Sequence, residues 1–269
     1  AGNVNTGIGY HALKSNTTGY YNLAVGGHAL EDMTTGAQNV AVGHCALHQS
    51  NANNNTAVGM YAMLCNTSGT TNAALGLCAM CGNTTGHRNT GLGAHALLTS
   101  TNGYDNVAVG YKAMEDTTSG YRNVAVGCGA AGDNTSGCCN VAVGYEAFNK
   151  NTIGCCNVAI GSSSLYGNLT GNLNTAVGYL ALSSNTGGRE NAAVGSCALA
   201  NNITGCFNTA VGMEALETNT ASYNTGIGFR ALCKNTSALY NTAVGAQVLS
   251  NNTTGCMNTA IGGINAMLF

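Results

Sequence analysis

The sequence predicts an all-β chain, a parallel β-solenoid of sixteen coils of about 17 residues each. The first reason is repetition: the pentad Asn-x-(Ala/Gly)-(Val/Ile/Leu)-Gly begins at Asn5, Asn22, Asn39 and Asn55 and recurs to Asn258, sixteen copies in all. Thirteen of the intervals are 17 residues and two are 16. The second is that the apolar residues show no 3.6 spacing, and a unit this short cannot hold two antiparallel helices. The third is composition: 39 Gly, many Asn and Thr, and β-branched residues inside the pentad all disfavour helix. Stacked at about 4.8 Å, sixteen coils would make a rod of roughly 75 Å.

Each element of the unit, Asn-(Thr/Val)-Ala-Val-Gly-x-x-Ala-Leu-x-x-Asn-Thr-Thr-Gly-x-x, follows from its residues. Position 1 is Asn in every copy, a residue able to stack into an amide ladder along the solenoid. Positions 2 to 4 read as a short strand and positions 7 to 9, x-Ala-Leu, as a second. Gly at position 5, also in every copy, suits a bend with positive φ or a backbone approach that a Cβ would block. Positions 12 to 15, Asn-Thr-Thr-Gly, have turn chemistry. The two short intervals, Asn39 to Asn55 and Asn208 to Asn224, lose their residue in this last stretch. A deletion there must fall in a turn, because inside a strand it would swap the core and solvent faces.

Charge maps the surface. Only 18 residues carry charge, 7 % of the chain, and all lie at positions 7, 10, 11, 16 or 17. A buried charge is expensive, so these five columns are expected to face solvent. Opposite signs follow one another there: Arg88, Asp105 and Arg122 at position 17, Asp133 and Lys150 at position 11, Glu214 and Arg230 at position 7. Asp116 beside Asp133 is the counterexample. A net charge of -2 with eight Lys and Arg spread thinly gives no footprint for nucleic acid or an anionic membrane. No apolar run approaches the roughly 20 residues of a membrane helix. Ala1-Gly2-Asn3-Val4 lacks the basic and apolar regions of a signal peptide, so a soluble chain, processed or excerpted, is expected.

Position 6 carries no charge and holds Tyr10, Met60, Leu77, Tyr111, Tyr145, Tyr179, Met213 and Phe229. Two readings stand: a cover over one corner of each coil, or a lengthwise apolar stripe that packs on another chain. Residues 1–269 form one array, with 263–269 as an off-pattern tail ending in Met267, Leu268 and Phe269. With the stripe residues, these three are candidate assembly contacts.

The repeats Asn-Thr-Ala-Val-Gly and Asn-Val-Ala-Ile-Gly (157–161) resemble the head repeat of trimeric autotransporter adhesins. The spacer Tyr-x-Ala-Leu-x-x-Asn-Thr-Thr-Gly is more similar to arrays in virus and phage tail-fibre proteins. The resemblance spans essentially the whole chain. It implies a left-handed β-roll, a homotrimer, and an extracellular or virion-surface fibre whose partner is a host-surface receptor or glycan. The period of 17 exceeds that of the usual adhesin head, and neither anchor, coiled-coil stalk nor chaperone domain is recognisable.

Thirteen cysteines occupy only the variable columns. Cys138-Cys139 and Cys155-Cys156 fall at positions 16 and 17 of adjacent coils, close enough for two inter-coil disulfides. The alternative is that cysteine serves there as a small apolar residue. Cys78-x-x-Cys81 lacks the second pair of a zinc site. His11, His28 and Cys45 follow one another at position 7, with His44 adjacent, and read as a solvated column lacking an accompanying carboxylate. No cofactor, metal or catalytic residue is assigned: no nucleophile–base grouping and no phosphate or dinucleotide loop is recognisable. The expected function is therefore a non-enzymatic structural fibre, a shaft or head segment. A filament joined head to tail is the alternative, and an ice-binding solenoid the third.

Overall fold

The computed structural model describes residues 4–263, and its regular structure is entirely β. The chain forms two compact units, Ala1–Gly137 and Cys138–Phe269. In the first, eight three-residue strands follow one another: β1 (Thr6–Ile8), β2 (Leu23–Val25), β3 (Val40–Val42), β4 (Thr56–Val58), β5 (Ala73–Leu75), β6 (Thr90–Leu92), β7 (Val107–Val109) and β8 (Val124–Val126). In the second are β9 (Val141–Val143), β10 (Val158–Ile160), β11 (Thr175–Val177), β12 (Ala192–Val194), β13 (Thr209–Val211), β14 (Thr225–Ile227), β15 (Thr242–Val244) and β16 (Thr259–Ile261). Within each unit every strand pairs parallel with the next in chain order, position on equivalent position, as in Val158↔Thr175 and Ala159↔Ala176. Each unit is a parallel β-solenoid, as the repeat predicts.

Both short intervals keep this register. Val40 pairs with Thr56 and Thr209 with Thr225, so the missing residue is absorbed by the turn between strands.

The second strand expected at positions 7 to 9 is not formed. Those residues lie in turns, and positions 7, 9 and 17 take positive φ in coil after coil: His28 62°, Leu30 50° and Gln38 59° in the second. A left-handed residue on each side of Ala29 cannot run straight, so the chain folds round on itself. This explains a restriction on residue type. Position 9 carries Leu, Met, Phe or Ala in the complete coils and never Val or Ile, because a β-branched side chain clashes with the backbone at such φ. Position 4, in the strand, is always Val, Ile or Leu.

Stacking does not depend on the strand alone. In the second coil Leu23, Leu30 and Asp32 N–H groups donate to the following coil, at Asn39 O, Ala46 O and His48 O (2.9–3.1 Å). Those of Gly26, His28 and Gln38 donate backwards, to Ile8 O, Tyr10 O and Tyr20 O (2.8–3.0 Å). Thr hydroxyls at position 13 add a rung, Thr84 Oγ1 donating to Thr101 O at 3.0 Å and Thr101 Oγ1 to Thr118 O at 3.1 Å. Turn backbone thus finds its partners in neighbouring turns, which is what a buried polar group requires.

The core is narrow. Ala at positions 3 and 8 and the Leu-class residue at position 9 are fully buried, as at Ala176, Ala181 and Leu182. Burying one such Leu contributes about 1.5–3 kcal/mol. Much of the rest of the interior is amide, with Met33, Ser50, Ser100 and Thr117 in its place in four coils. Asn174 Nδ2 donates to Gly188 O at the end of its own coil (2.8 Å) and to Asn157 Oδ1 of the coil before (3.2 Å). Its Oδ1 accepts the backbone N–H of Asn191 at 3.1 Å. A second buried ladder runs through position 12, where Asn185 Nδ2 meets Asn168 Oδ1 at 2.8 Å and Gly188 O at 3.1 Å.

Glycine is required where coils touch. Gly178 has φ +134°, and a Cβ there would lie 2.6 Å from Gly195 O. At position 15, a Cβ on Gly188 would lie 2.3 Å from Asn185 Oδ1 and 2.4 Å from Gly205 O. Ala52, Ala221 and Ala238 replace this glycine, and their carbonyls still accept the amides of Asn39, Asn208 and Asn224 at 2.8 Å.

Three substitutions test these constraints. Asn174→Ala strands the Asn191 N–H, at about 1–3 kcal/mol, and leaves the Gly188 carbonyl to Asn185 alone, and is expected to lower the unfolding midpoint in denaturant titration. Leu182→Val is expected to cost about 2–3 kcal/mol, one methylene plus left-handed strain. Leu182→Met should cost under about 1.5 kcal/mol. Equal losses for Val and Met would contradict the backbone argument.

Candidate assembly face and side-chain clusters

In β2 to β16 the middle residue is buried, so positions 2 and 4 share the outer face. Position 2 is Thr, Val, Ala or Leu and position 4 Val, Ile or Leu, with no charge at either throughout the chain. Many position-4 side chains are open, among them Leu75, Leu92, Ile160, Val194, Val211 and Ile227. Between Leu75 and Leu92 lies an apolar hollow of about 170 Å³, floored by Ala73, Ala74 and Gly91.

The position-6 column borders this face. Tyr10, Tyr111, Tyr145 and Tyr179 are 51–68 % exposed, and Met60, Leu77, Met213 and Phe229 39–47 %. Exposure of this order fits both readings of these residues, a cover over one corner of each coil and a stripe that packs on another chain. Met267, Leu268 and Phe269, the other expected assembly contacts, lie outside the described residues.

Elsewhere side chains form ladders across the coils. His87, Tyr104 and Tyr121 stack at 5.4 and 4.9 Å between centroids, and Phe207, Tyr223 and Tyr240 at 4.9 and 5.0 Å. Arg88 grips Asp105 with two bonds, Nε at 2.6 Å and Nη2 at 3.2 Å, and Arg122 Nε lies 4.0 Å from the same carboxylate. The Arg88 bonds hold the Asp105 carboxyl below its usual range. Arg230 Nε pairs with Glu214 at 2.5 Å, beside an open hollow of about 490 Å³ that Glu217, Cys233 and Lys234 also line. Asp116 has the opposite fate: burial first, then Glu115 and Asp133, raise its pKa.

The expected cysteine pairs are partly brought together. Cys138 Sγ and Cys155 Sγ are thiols 2.7 Å apart, and Cys138 N–H also donates to Cys155 Sγ at 3.1 Å. Burial, with the Cys138 thiol, pushes the Cys155 thiol well above its ordinary pKa. Cys139 and Cys156 are exposed thiols in the same two coils. Cys65, which sequence spacing missed, joins the Cys78 and Cys81 pair: burial, then Cys65 and Cys78, raise the Cys81 pKa to about 11.

The histidine column differs from expectation at one point: a carboxylate does accompany it. Glu31, at position 10, meets His28 Nδ1 at 2.5 Å, His11 Nδ1 at 3.0 Å, Lys14 Nζ at 3.3 Å and His48 Nε2 at 3.3 Å. Its side chain is only 12 % exposed. The His28 hydrogen bond is the main cause that draws its carboxyl pKa down to about 2. Column arithmetic groups residues of equal position, and the tight turn instead brings position 10 of one coil against position 7 of two coils.

In comparisons with known proteins, no family model matches the chain and no curated protein matches it in sequence.

The thiol geometry carries its own test. Diamide, which takes up the two thiol hydrogens as the S–S bond forms, is expected to remove one thiol pair and yield a Cys138–Cys155 linked peptide. Closing a loop of this size raises stability by about 3 kcal/mol. Cys155→Ser abolishes the product, and a pair recovered elsewhere in the chain would refute the assignment.

Proposed function

We propose that the chain is a non-enzymatic structural fibre protein, a rod-like shaft or head segment of a viral, phage or bacterial surface fibre, displayed outside the cell or on a virion and serving adhesion or reach. The observation that carries this reading is the outer strand face, which bears no charged residue at position 2 or 4 in any copy. Exposed aromatic and aliphatic side chains at position 6 border it. Extended apolar faces of this kind serve association in soluble proteins. Invariant positions are spent on stacking, while the variable columns 7, 10, 11, 16 and 17 remain for a receptor or glycan. The similarity to fibre repeats adds the homotrimer.

The decisive measurement is chain stoichiometry and shape, by sedimentation velocity and negative-stain electron microscopy. Discrete elongated particles of three chains are expected. Val194→Lys with Val211→Lys, both at exposed position 4, should release folded single chains, since burying an unpaired charge in an interface costs several kcal/mol. A compact wild-type monomer would overturn the proposal, and filaments of indefinite length would replace it with head-to-tail assembly.

A further inference from the structure

The geometry points to a divalent transition-metal site, best suited to Zn²⁺, formed by His11, His28, Glu31 and His48. Three successive coils supply the ligands: His11 from the first, His28 and Glu31 from the second, His48 from the third. One ring nitrogen of His11, one of His28 and a carboxylate oxygen of Glu31 all lie within 4.8 Å of one another. His48 Nε2 approaches the same carboxylate at 3.3 Å. Donors of a tetrahedral site with bonds of about 2.0–2.1 Å sit roughly 3.3–3.4 Å apart, so His28 and Glu31, in direct contact at 2.5 Å, must part by somewhat under 1 Å as the ion enters, and the His48 ring must turn towards the other three. Imidazole nitrogen with one carboxylate oxygen is a donor set that zinc accepts.

Three details favour a ligand over a plain ion-pair cluster. His11 Nδ1 is buried and, although 3.0 Å from Glu31 Oε1, makes no hydrogen bond there, so this polar atom is left without a partner. The other nitrogen of His48, Nδ1, faces Asp32 Oδ2 at 3.4 Å, the carboxylate–histidine arrangement that orients a ligating imidazole. The backbone is fixed too: His11 and His28 hold φ of 59° and 62°, and His28 N–H is tied to Tyr10 O at 2.8 Å. Their rings meet edge to face at 5.4 Å. Lys14 opposes a cation, but its side chain is 54 % exposed and can leave Glu31 for solvent. A bound ion would staple three coils together.

Cobalt(II) titration of the chelator-treated full chain, followed in the visible region, tests this and separates it from the thirteen thiols. Expected is one tetrahedral nitrogen/oxygen-ligated ion per chain, displaced by Zn²⁺, whose d–d bands persist in Cys78→Ser and Cys45→Ser. His28→Ala and Glu31→Gln should abolish it, and Asp32→Asn should weaken it about 10–100-fold. Circular dichroism checks that each variant is folded. Should the ligand variants fail to fold, Lys14→Gln decides, since removing the opposing cation must tighten binding several-fold. Absence of the bands, a thiolate charge-transfer band lost in Cys78→Ser, equal binding by folded His28→Ala, or unchanged affinity in Lys14→Gln would overturn the site.

Discussion

The coils depend on one side chain that closes them, although Asn241 Nδ2 is left without a partner. The position-1 amide joins the first residue of a coil to the carbonyl of position 15 fourteen residues on, as Asn191 does to Gly205 O at 2.8 Å. The same side chain accepts the next coil's N–H, so closure and stacking are made by one group. Aspartate offers no donor for the carbonyl, glutamine is longer by a methylene, and serine cannot donate and accept at two such separated points. A buried amide with all its partners is stabilising, whereas one missing partner leaves several groups unpaired. The requirement for Asn in every copy follows from that asymmetry.

Closure by an amide also explains why so little hydrophobic matter suffices. A Leu-class residue and two alanines per coil leave room for only small side chains, and small side chains let carbonyls approach. Glycine at positions 5 and 15 is the extreme of that trend: backbone of one coil lies where a Cβ of its neighbour would be. Left-handed residues at positions 7, 9 and 17 turn the chain within this space. Each carries local strain, held by hydrogen bonds to the coils before and after, so no coil is stable in isolation.

The strand, both bends, the amide ladder and the place of the deletions were legible because each depends on a residue with one dominant physical use. Invariant Gly indicates a backbone constraint, and a 16-residue interval is tolerable only in a turn. The turn at positions 7 to 9 was not legible. Ala-Leu after a variable residue is equally compatible with a short strand, and only the absence of Val and Ile at position 9 hinted at positive φ. Glu31 was missed for the same reason: in an extended segment position 10 would point away from position 7, whereas the turn brings its carboxylate to 2.5 Å from His28.

These constraints divide the unit into two independent parts. Positions 1, 3, 5, 8, 9, 12 and 15 make the coil, and changing any of them disturbs the neighbouring coils as well. Side chains at 7, 10, 11, 16 and 17 meet solvent and one another, within a coil and between adjacent coils, so a change costs little beyond its own cluster. Paired charges, stacked rings, thiols and imidazoles all occur there at a spacing of about 5 Å, fixed by the backbone and not by the side chains themselves. A fixed spacing close to ring-stacking and ion-pair distances means that two substitutions in adjacent coils are enough to create a contact. Chemistry on such a surface can therefore change without altering the fold, whereas the strand face carries no charge in any copy.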